Sequence, residues 1–491
     1  MEATLLIAVI ICLVVYLWFN SKSSKLPPYP RRPLPIVGHL FYLERDSRSQ
    51  FKKWRKQCGD IFSINICGSL VVVLNGYDVI KEALVKTADV FSDRKIPFLD
   101  MATGLPGKGV MFSSGVNWKE QRSVALSILR KFGMGKNILA EKIQDEVSCF
   151  TNYLGSLNGE ATNIGIMTNI STSNIICSII IGHRFDYEDK EFRYLMNRLN
   201  STATDHSNMS VLNFLPWVKY LPGDTFKAKI IVQNVELVFG MLNQCINLKK
   251  RDDVDINDAD NLIDAYIAET NKKIKNGLST YMDDDNLRKV IIDLFNAGSE
   301  TTSSTIAWFI VYLLNYPHVQ EKLYQEIKDV VGKNRIPNMQ DRPKLPYLNA
   351  AISETLRLGS IAPLALLHST SEDVTFRGYE IPKGTHIVPN LDSVLHDKAI
   401  WGEDVMTFRP ERFLDGSGKL LDREEMVAFG IGRRVCLGEA LAVMELFLFL
   451  SNMIQRFQFL PGNKGPPSCT DYMFGITSPP KQYEVRCVER K

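Results

Sequence analysis

The 491-residue sequence lacks a charge excess of either sign. Lysine and arginine number 58, aspartate and glutamate 55, so the formal net charge is +3. Proteins that grip a phosphate backbone carry a large basic surplus, so a nucleic-acid partner is excluded. Paired cysteines are also missing. The nine cysteines (Cys12, Cys58, Cys67, Cys149, Cys177, Cys245, Cys436, Cys469 and Cys487) are odd in number and scattered, with no CxxC pair. That argues against structural zinc and against a secreted disulfide framework, and leaves reduced thiols in a cytosolic setting. There is no internal repeat, low-complexity segment or clear second domain boundary. Flavin and nicotinamide motifs are absent too: in FGIGRRVCLGEA, Val435 stands where a dinucleotide loop needs its third glycine. What the chain does have is apolar mass. It is 45% hydrophobic and 10% aromatic, which rules out disorder and allows a core large enough to enclose a prosthetic group.

From Ala3 to Phe19 the chain reads ATLLIAVIICLVVYLWF, without charge or proline. At a helical rise that segment covers roughly 26 Å, enough for a thin bilayer. Tyr16 and Trp18 sit at one end, and Lys22, Lys25, Arg31 and Arg32 follow. Basic residues after the apolar run place that flank in the cytoplasm and speak against a cleaved signal peptide. Residues 1–20 therefore read as a transmembrane anchor, 21–34 as a polar, proline-rich hinge, and 35–491 as the folded body. The sequons at Asn169, Asn200 and Asn208 are then expected to be unglycosylated, never meeting the lumen.

Alternating segments at Ile61–Ile66 and Leu70–Asn75 predict strands, and from about Asp78 the pattern is mostly helical. The stretch Pro97–Gly109 is too irregular for either period. Asn213–Gly223 alternates prolines with apolar residues, as a segment that covers a pocket or touches lipid would. The strongest helix is predicted over Asp284–Asn315, opened by acidic residues and stopped before Pro317. It is apolar around most of its circumference, and Lys289, Asp293 and Glu300 argue against a second membrane span.

Near the C-terminus, glycines bracket one cysteine in Phe429–Ala440. Gly432 and Gly438 let the backbone fold closely around the Cys436 sulfur and approach a flat partner. A helix starting just after Cys436 would aim its N–H groups at that sulfur and favour the thiolate. Arg434 is placed to meet an acidic group, and Phe429 to shield the sulfur from water. A buried structural cysteine in a glycine turn is the plainer alternative.

FGIGRRVCLG resembles the cysteine-ligand loop of the cytochrome P-450 haem-thiolate monooxygenases, matching at Phe429, Gly432, Arg434, Cys436 and Gly438. Other motifs of that family follow in order, and the resemblance covers essentially the whole chain. It implies a mainly α fold with small β-sheets (α+β), one large haem-enclosing domain after the anchor. It implies haem b with the Cys436 thiolate as axial ligand. It assigns Glu354 and Arg357 of the EXXR motif, with Arg412 of FRPERF, to a structural lock beneath the haem. In AGSETT, it implies that Ala297 leaves room beside the haem, Thr301 hydrogen-bonds dioxygen and Glu300 relays protons. Trp118 and Arg122 of WKEQR, with Arg434 and His368, become candidates for the haem propionates, and Phe429 and Gly438 complete the cofactor contacts. Phe91–Gly135 and Arg184–Asp189 look most like the animal microsomal subfamilies that act on drugs, steroids and fatty acids. LPPYP at Leu26–Pro30 departs from their usual hinge by a tyrosine in place of glycine.

The activity implied is insertion of one oxygen atom from dioxygen into a lipophilic substrate. Electrons would come from NADPH through a membrane-bound cytochrome P-450 reductase, sometimes helped by cytochrome b5. Arg433, Lys119 and the Arg130–Lys131 pair are candidates for docking that partner. The expected location is the endoplasmic reticulum membrane, with the catalytic domain in the cytoplasm. The substrate pocket is expected at Phe295, Ala297, Ile361, Leu364, Leu366 and Ile476, all apolar. Two rivals keep the haem: a peroxide-rearranging isomerase or dehydratase, and a membrane-tethered haem sensor. The Glu300–Thr301 pair argues against both.

Overall fold

The computed structural model describes residues 25–44, 46–133, 137–204, 206–249 and 259–490. The expected anchor, and the hinge as far as residue 24, lie outside the described residues. No helix among the described residues is long and apolar enough to cross a membrane. The rest of the hinge is docked: the Pro28 carbonyl accepts from the Ser63 N–H at 2.9 Å, and the Lys25 carbonyl from Glu380 at 2.9 Å.

Two strands predicted from alternation, β1 (Ile61–Ile66) and β2 (Ser69–Leu74), form an antiparallel hairpin. Its two-residue turn puts both Cys67 and Gly68 at positive φ, 50° and 90°, as a tight hairpin turn requires. Strand β2 then pairs in parallel with a distant strand, Val71 beside His386. In chain order the remaining strands are β3 (Ala161–Thr162), β4 (His368–Ser369), β5 (Val374–Phe376), β6 (Tyr379–Ile381), β7 (His386–Pro389), β8 (Phe457–Pro461) and β9 (Val485–Glu489). They make a four-stranded sheet in the order β1-β2-β7-β4, a three-stranded sheet β3-β9-β8, and the hairpin β5-β6.

Helices make up the body. Those that position the site are α1 (Gly115–Lys131), α2 (Ile164–Ile180), α3 (Asp284–Asn315), α4 (Pro346–Gly359) and α5 (Glu439–Arg456). Helix α3 has the predicted bounds. The Asp283 side chain caps it by accepting from the Asn286 N–H, Asp284 and Asp285 complement the first turn, and Pro317 follows its end. It packs most extensively against α2, whose Ser171, Thr172, Ser173 and Asn174 are all buried. Small polar residues allow the close approach and also bind across it: the Thr172 hydroxyl donates to the Ser299 carbonyl at 2.9 Å. Gly298 is needed at this crossing, because a Cβ there would lie 2.5 Å from Ile176 Cδ1. Asn169 of the first sequon is buried against the same crossing and donates to the Ser303 hydroxyl at 3.3 Å.

Two irregular stretches have more structure than their sequence suggests. Pro97–Gly109 contains a short helix, Phe98–Ala102, that buries Phe98 and Asp100. Asn213–Gly223 winds into 3-10 turns at Pro216–Tyr220 and Pro222–Asp224. Val218 packs inward with Phe98, while Trp217 and Tyr220 are exposed.

Candidate functional site

The cysteine loop is built by close packing. Cys436 N–H donates to the Phe429 carbonyl at 2.9 Å, closing the loop on itself. Gly432 has a φ of +77°, and a Cβ there would sit 2.0 Å from the Leu84 carbonyl oxygen. The loop therefore seats directly on the backbone of a neighbouring helical turn, which no side chain at 432 would permit. Gly438 is different: a Cβ there would meet nothing within 4 Å, so its open face borders a cleft. Helix α5 starts at the next residue.

Cys436 is exposed by area, yet burial is still the largest influence on its thiol. Burial pushes the thiol up, the Gly438 backbone hydrogen bond pulls it back, Glu439 raises it and Arg122 lowers it. On α3, Asn296 and Ala297 are likewise exposed midway along a helix that is otherwise largely buried. Exposure at such positions means that these side chains line an internal cleft. Phe429, half-buried, packs against the main core beside the loop.

Four of the residues expected at the propionates come together. The Arg434 guanidinium stacks on the Trp118 ring at 3.8 Å, and donates to the Ser92 carbonyl at 2.8 Å and the Ser113 carbonyl at 2.7 Å. Arg122 donates to the Val435 carbonyl at 2.7 Å, and His368 meets the Phe91 carbonyl at 2.7 Å. A fifth, Arg94, escaped the sequence reading. It donates to the Leu367 carbonyl at 2.7 Å, and burial followed by the nearby Arg434 holds its pKa well below the usual range. Burial also pushes Arg434 down, with Asp93 raising it and Arg122 lowering it further; burial lowers Arg122 against a raising effect of Cys436; and His368 is lowered by burial and then by Arg94. Among the described residues no carboxylate forms an ion pair with Arg94, Arg122 or Arg434, and the buried Trp118 Nε1 and Arg94 Nε have no partner.. Asp93 acts on Arg434 electrostatically without an ion pair, and dehydrated cations so little compensated are costly, so this cluster fits a ligand carrying carboxylates. The one sequence signal for Arg94 was a lone arginine between Asp93 and Lys95, too common a pattern to single out.

Glu354 and Arg357 are fully buried on α4. Arg357 grips Glu354 through two bonds of 2.7 and 2.9 Å, and Arg412 adds a third at 3.3 Å. Both guanidiniums also donate to main-chain carbonyls, among them Leu395 and Val405 from Arg357 and Asp404 from Arg412. Three distant segments are thereby tied at one point.

The family model for cytochrome P450 matches residues 27–487. The chain is 36% identical to cytochrome P450 2B19 of Mus musculus over 497 residues, covering 99% of both chains. It is also 36% identical to cytochrome P450 2U1 of Rattus norvegicus, covering 99% of this chain and 95% of that one. Cytochrome P450 2B4 of Oryctolagus cuniculus gives 36% identity with 97% of each chain covered. The chain belongs to the cytochrome P450 family. It is therefore a monooxygenase, an oxidoreductase, that works through a haem with a cysteine thiolate as axial ligand. The residues present fit that group: an accessible thiol at a helix N-terminus, an open glycine face, and cations short of an anion beside it.

Thr301 and Glu300 of this cytochrome P450 are each bonded to another residue rather than to one another. The Thr301 hydroxyl donates to the Ala297 carbonyl at 2.6 Å, the usual i−4 bond of a helical threonine. Glu300 accepts from the Thr477 hydroxyl at 2.5 Å. Of the expected pocket residues, Ala297 and Ile476 are exposed, Phe295, Leu364 and Leu366 half-buried, and Ile361 buried in the main core. Leu364 packs toward the four-stranded sheet. Among the docking candidates Arg433 is already ion-paired with Asp89, while Lys119, Arg130 and Lys131 are exposed.

Proposed function

We propose that Cys436 is the axial ligand, and that the protein inserts one atom of dioxygen into a lipophilic steroid, fatty acid or foreign compound. The observation that carries this is the Cys436 loop seated on Leu84 with the anion-short cluster of Arg94, Arg122, Arg434 and Trp118 beside it. A haem held there by the Cys436 thiolate would supply the activation of dioxygen, the thiolate ligand favouring that chemistry. The chain's own residues do the rest. Arg94, Trp118, Arg122, His368 and Arg434 would hold the two propionates, and the Gly438 N–H and the α5 N-terminus favour sulfur as thiolate. Phe429 and the packed loop shield the sulfur from water on one side, leaving the cleft side open. Thr301 turns its hydroxyl from the Ala297 carbonyl toward the cleft, and Glu300 passes protons to it. One oxygen atom enters the substrate and the other leaves as water, consuming two electrons and two protons.

The electrons come from NADPH through a flavoprotein reductase, with cytochrome b5 as an auxiliary donor. Lys119, Arg130 and Lys131 offer free positive charge for that encounter, and Arg433 contributes less because Asp89 already neutralises it. Residues 1–20 anchor the protein in the endoplasmic reticulum membrane, with residues 35–491 as the cytoplasmic catalytic domain. Apolar residues around Ala297 and Ile476 favour a lipophilic substrate. The test is NADPH oxidation by the reconstituted full-length enzyme with reductase and a panel of steroids, fatty acids and drug-like amines. Oxygenated product that requires both reductase and dioxygen supports the reading. Rearranged peroxide in the absence of reductase would favour an isomerase instead.

A further inference from the structure

We propose that Thr477 is a positioning residue for the Glu300 carboxylate, fixing the acid that feeds protons toward Thr301. This rests on the role assigned to Glu300 above. The hydroxyl of Thr477 donates to Glu300 Oε1 at 2.5 Å, and Thr477 is only 7% exposed. The two residues come from elements far apart in the chain, so neither neighbour along the sequence explains the pairing.

The turn that carries Thr477 is held from two sides. The Ser478 N–H donates to the Ile361 carbonyl at 2.8 Å, and the Trp308 indole N–H donates to the Ser478 carbonyl at 2.8 Å. Ser478 is fully buried, and Tyr483 ties the following segment to α3 through the Ala307 carbonyl at 2.7 Å. Thr477 is therefore a fixed point, whereas a glutamate side chain has three rotatable bonds and loses entropy when held. The hydrogen bond selects one arrangement of Glu300 and occupies only Oε1. The other oxygen, Oε2, is left to accept a proton from the solvent side and release it toward the cleft, so the carboxylate is regenerated in each cycle.

The preceding residue, Ile476, is 57% exposed and is an expected substrate contact. A substrate pressing on Ile476 thus bears on the turn whose hydroxyl holds the acid. Substrates that displace it should couple electrons to product less well than substrates that leave it in place.

The experiment compares full-length, haem-loaded wild type with Thr477→Val, Thr477→Ser and Glu300→Gln. The first readout is the infrared carboxyl band of Glu300 in the resting protein, assigned by subtracting the Glu300→Gln spectrum. The second is peroxide released per NADPH consumed with reductase. Thr477→Val should shift the Glu300 band and raise the peroxide fraction several-fold, with an unchanged carbon monoxide spectrum. Thr477→Ser should restore both. An unshifted band in Thr477→Val, or a serine variant that behaves like valine, overturns the proposal. Should the valine variant lose haem, Thr477→Ala at matched haem content takes its place with the same two criteria. If Glu300→Gln itself releases no extra peroxide, the role of Glu300 fails rather than that of Thr477.

Discussion

Replacing Glu354 by glutamine tests whether one buried carboxylate holds three segments together. The change keeps the side chain's shape and removes its charge. In the wild type Glu354 is 0% exposed and accepts two bonds from Arg357, one from Arg412 and one from the Arg409 N–H. Removing the anion leaves Arg357 buried with no carboxylate partner, and Arg412 with only the half-exposed Asp404 at 3.3 Å. Breaking a buried pair from one side costs about 3–5 kcal/mol, because an uncompensated charge stays behind. A chain of this size has an unfolding entropy near 1 kcal/mol per degree, so the midpoint should fall by roughly 3–5 °C. The assay is thermal loss of the haem Soret absorbance at fixed scan rate, with near-ultraviolet dichroism as a second probe. Lys398→Ala, which removes a surface ion pair with Glu403, serves as the control and should leave the midpoint unchanged. A Glu354→Gln midpoint within about 1 °C of wild type would refute the argument that this lock depends on charge.

Other outcomes follow from the same packing and electrostatics. Burial raises the Asp100 carboxyl to about 6 in spite of Lys289 at 3.2 Å, so its ionisation opposes folding. The folded pKa lies above the unfolded one, hence Asp100 favours the fold below about pH 4 and that benefit is lost as pH rises through about 6. Denaturant midpoints of wild type and Asp100→Asn should therefore draw apart in slope between pH 4 and 7, and parallel curves would contradict this. Gly432→Ala should abolish haem incorporation, since its methyl would overlap the Leu84 carbonyl; normal haem content in the purified variant would show that the loop can shift. Gly298→Ala gains helix propensity but collides with Ile176, so it should destabilise alone and recover in combination with Ile176→Ala, which a double-mutant melting cycle measures.

Elements with strong local patterns were legible in the sequence. The acidic start and proline stop of α3 put its bounds at Asp284 and Asn315, and alternation placed the hairpin within one residue. The cysteine loop could be read because its glycines, arginine and cysteine must lie close together in the chain for steric reasons. Arg94 and Thr477 were not legible, since each acts on residues brought to it by the fold: Arg94 on Leu367, Thr477 on Glu300. Lys289 and Asp293 read only as charges that exclude a membrane span. In the structure they clamp the Pro97–Gly109 region to α3, with Asp293 accepting from the Val110 and Met111 N–H groups at 2.8 and 2.9 Å. Gly298 lies within AGSETT, and its packing reason appears only once Ile176 lies across it.

Everything proposed for this site depends on Cys436 supplying the thiolate. The most direct measurement of this is the absorption spectrum of the reduced protein under carbon monoxide, for wild type and Cys436→His at equal haem content. Wild type should show the red-shifted Soret band of a thiolate-ligated haem, and the histidine variant should lose it. A thiolate-type band that survives Cys436→His, or that is absent from the intact wild type, would contradict it.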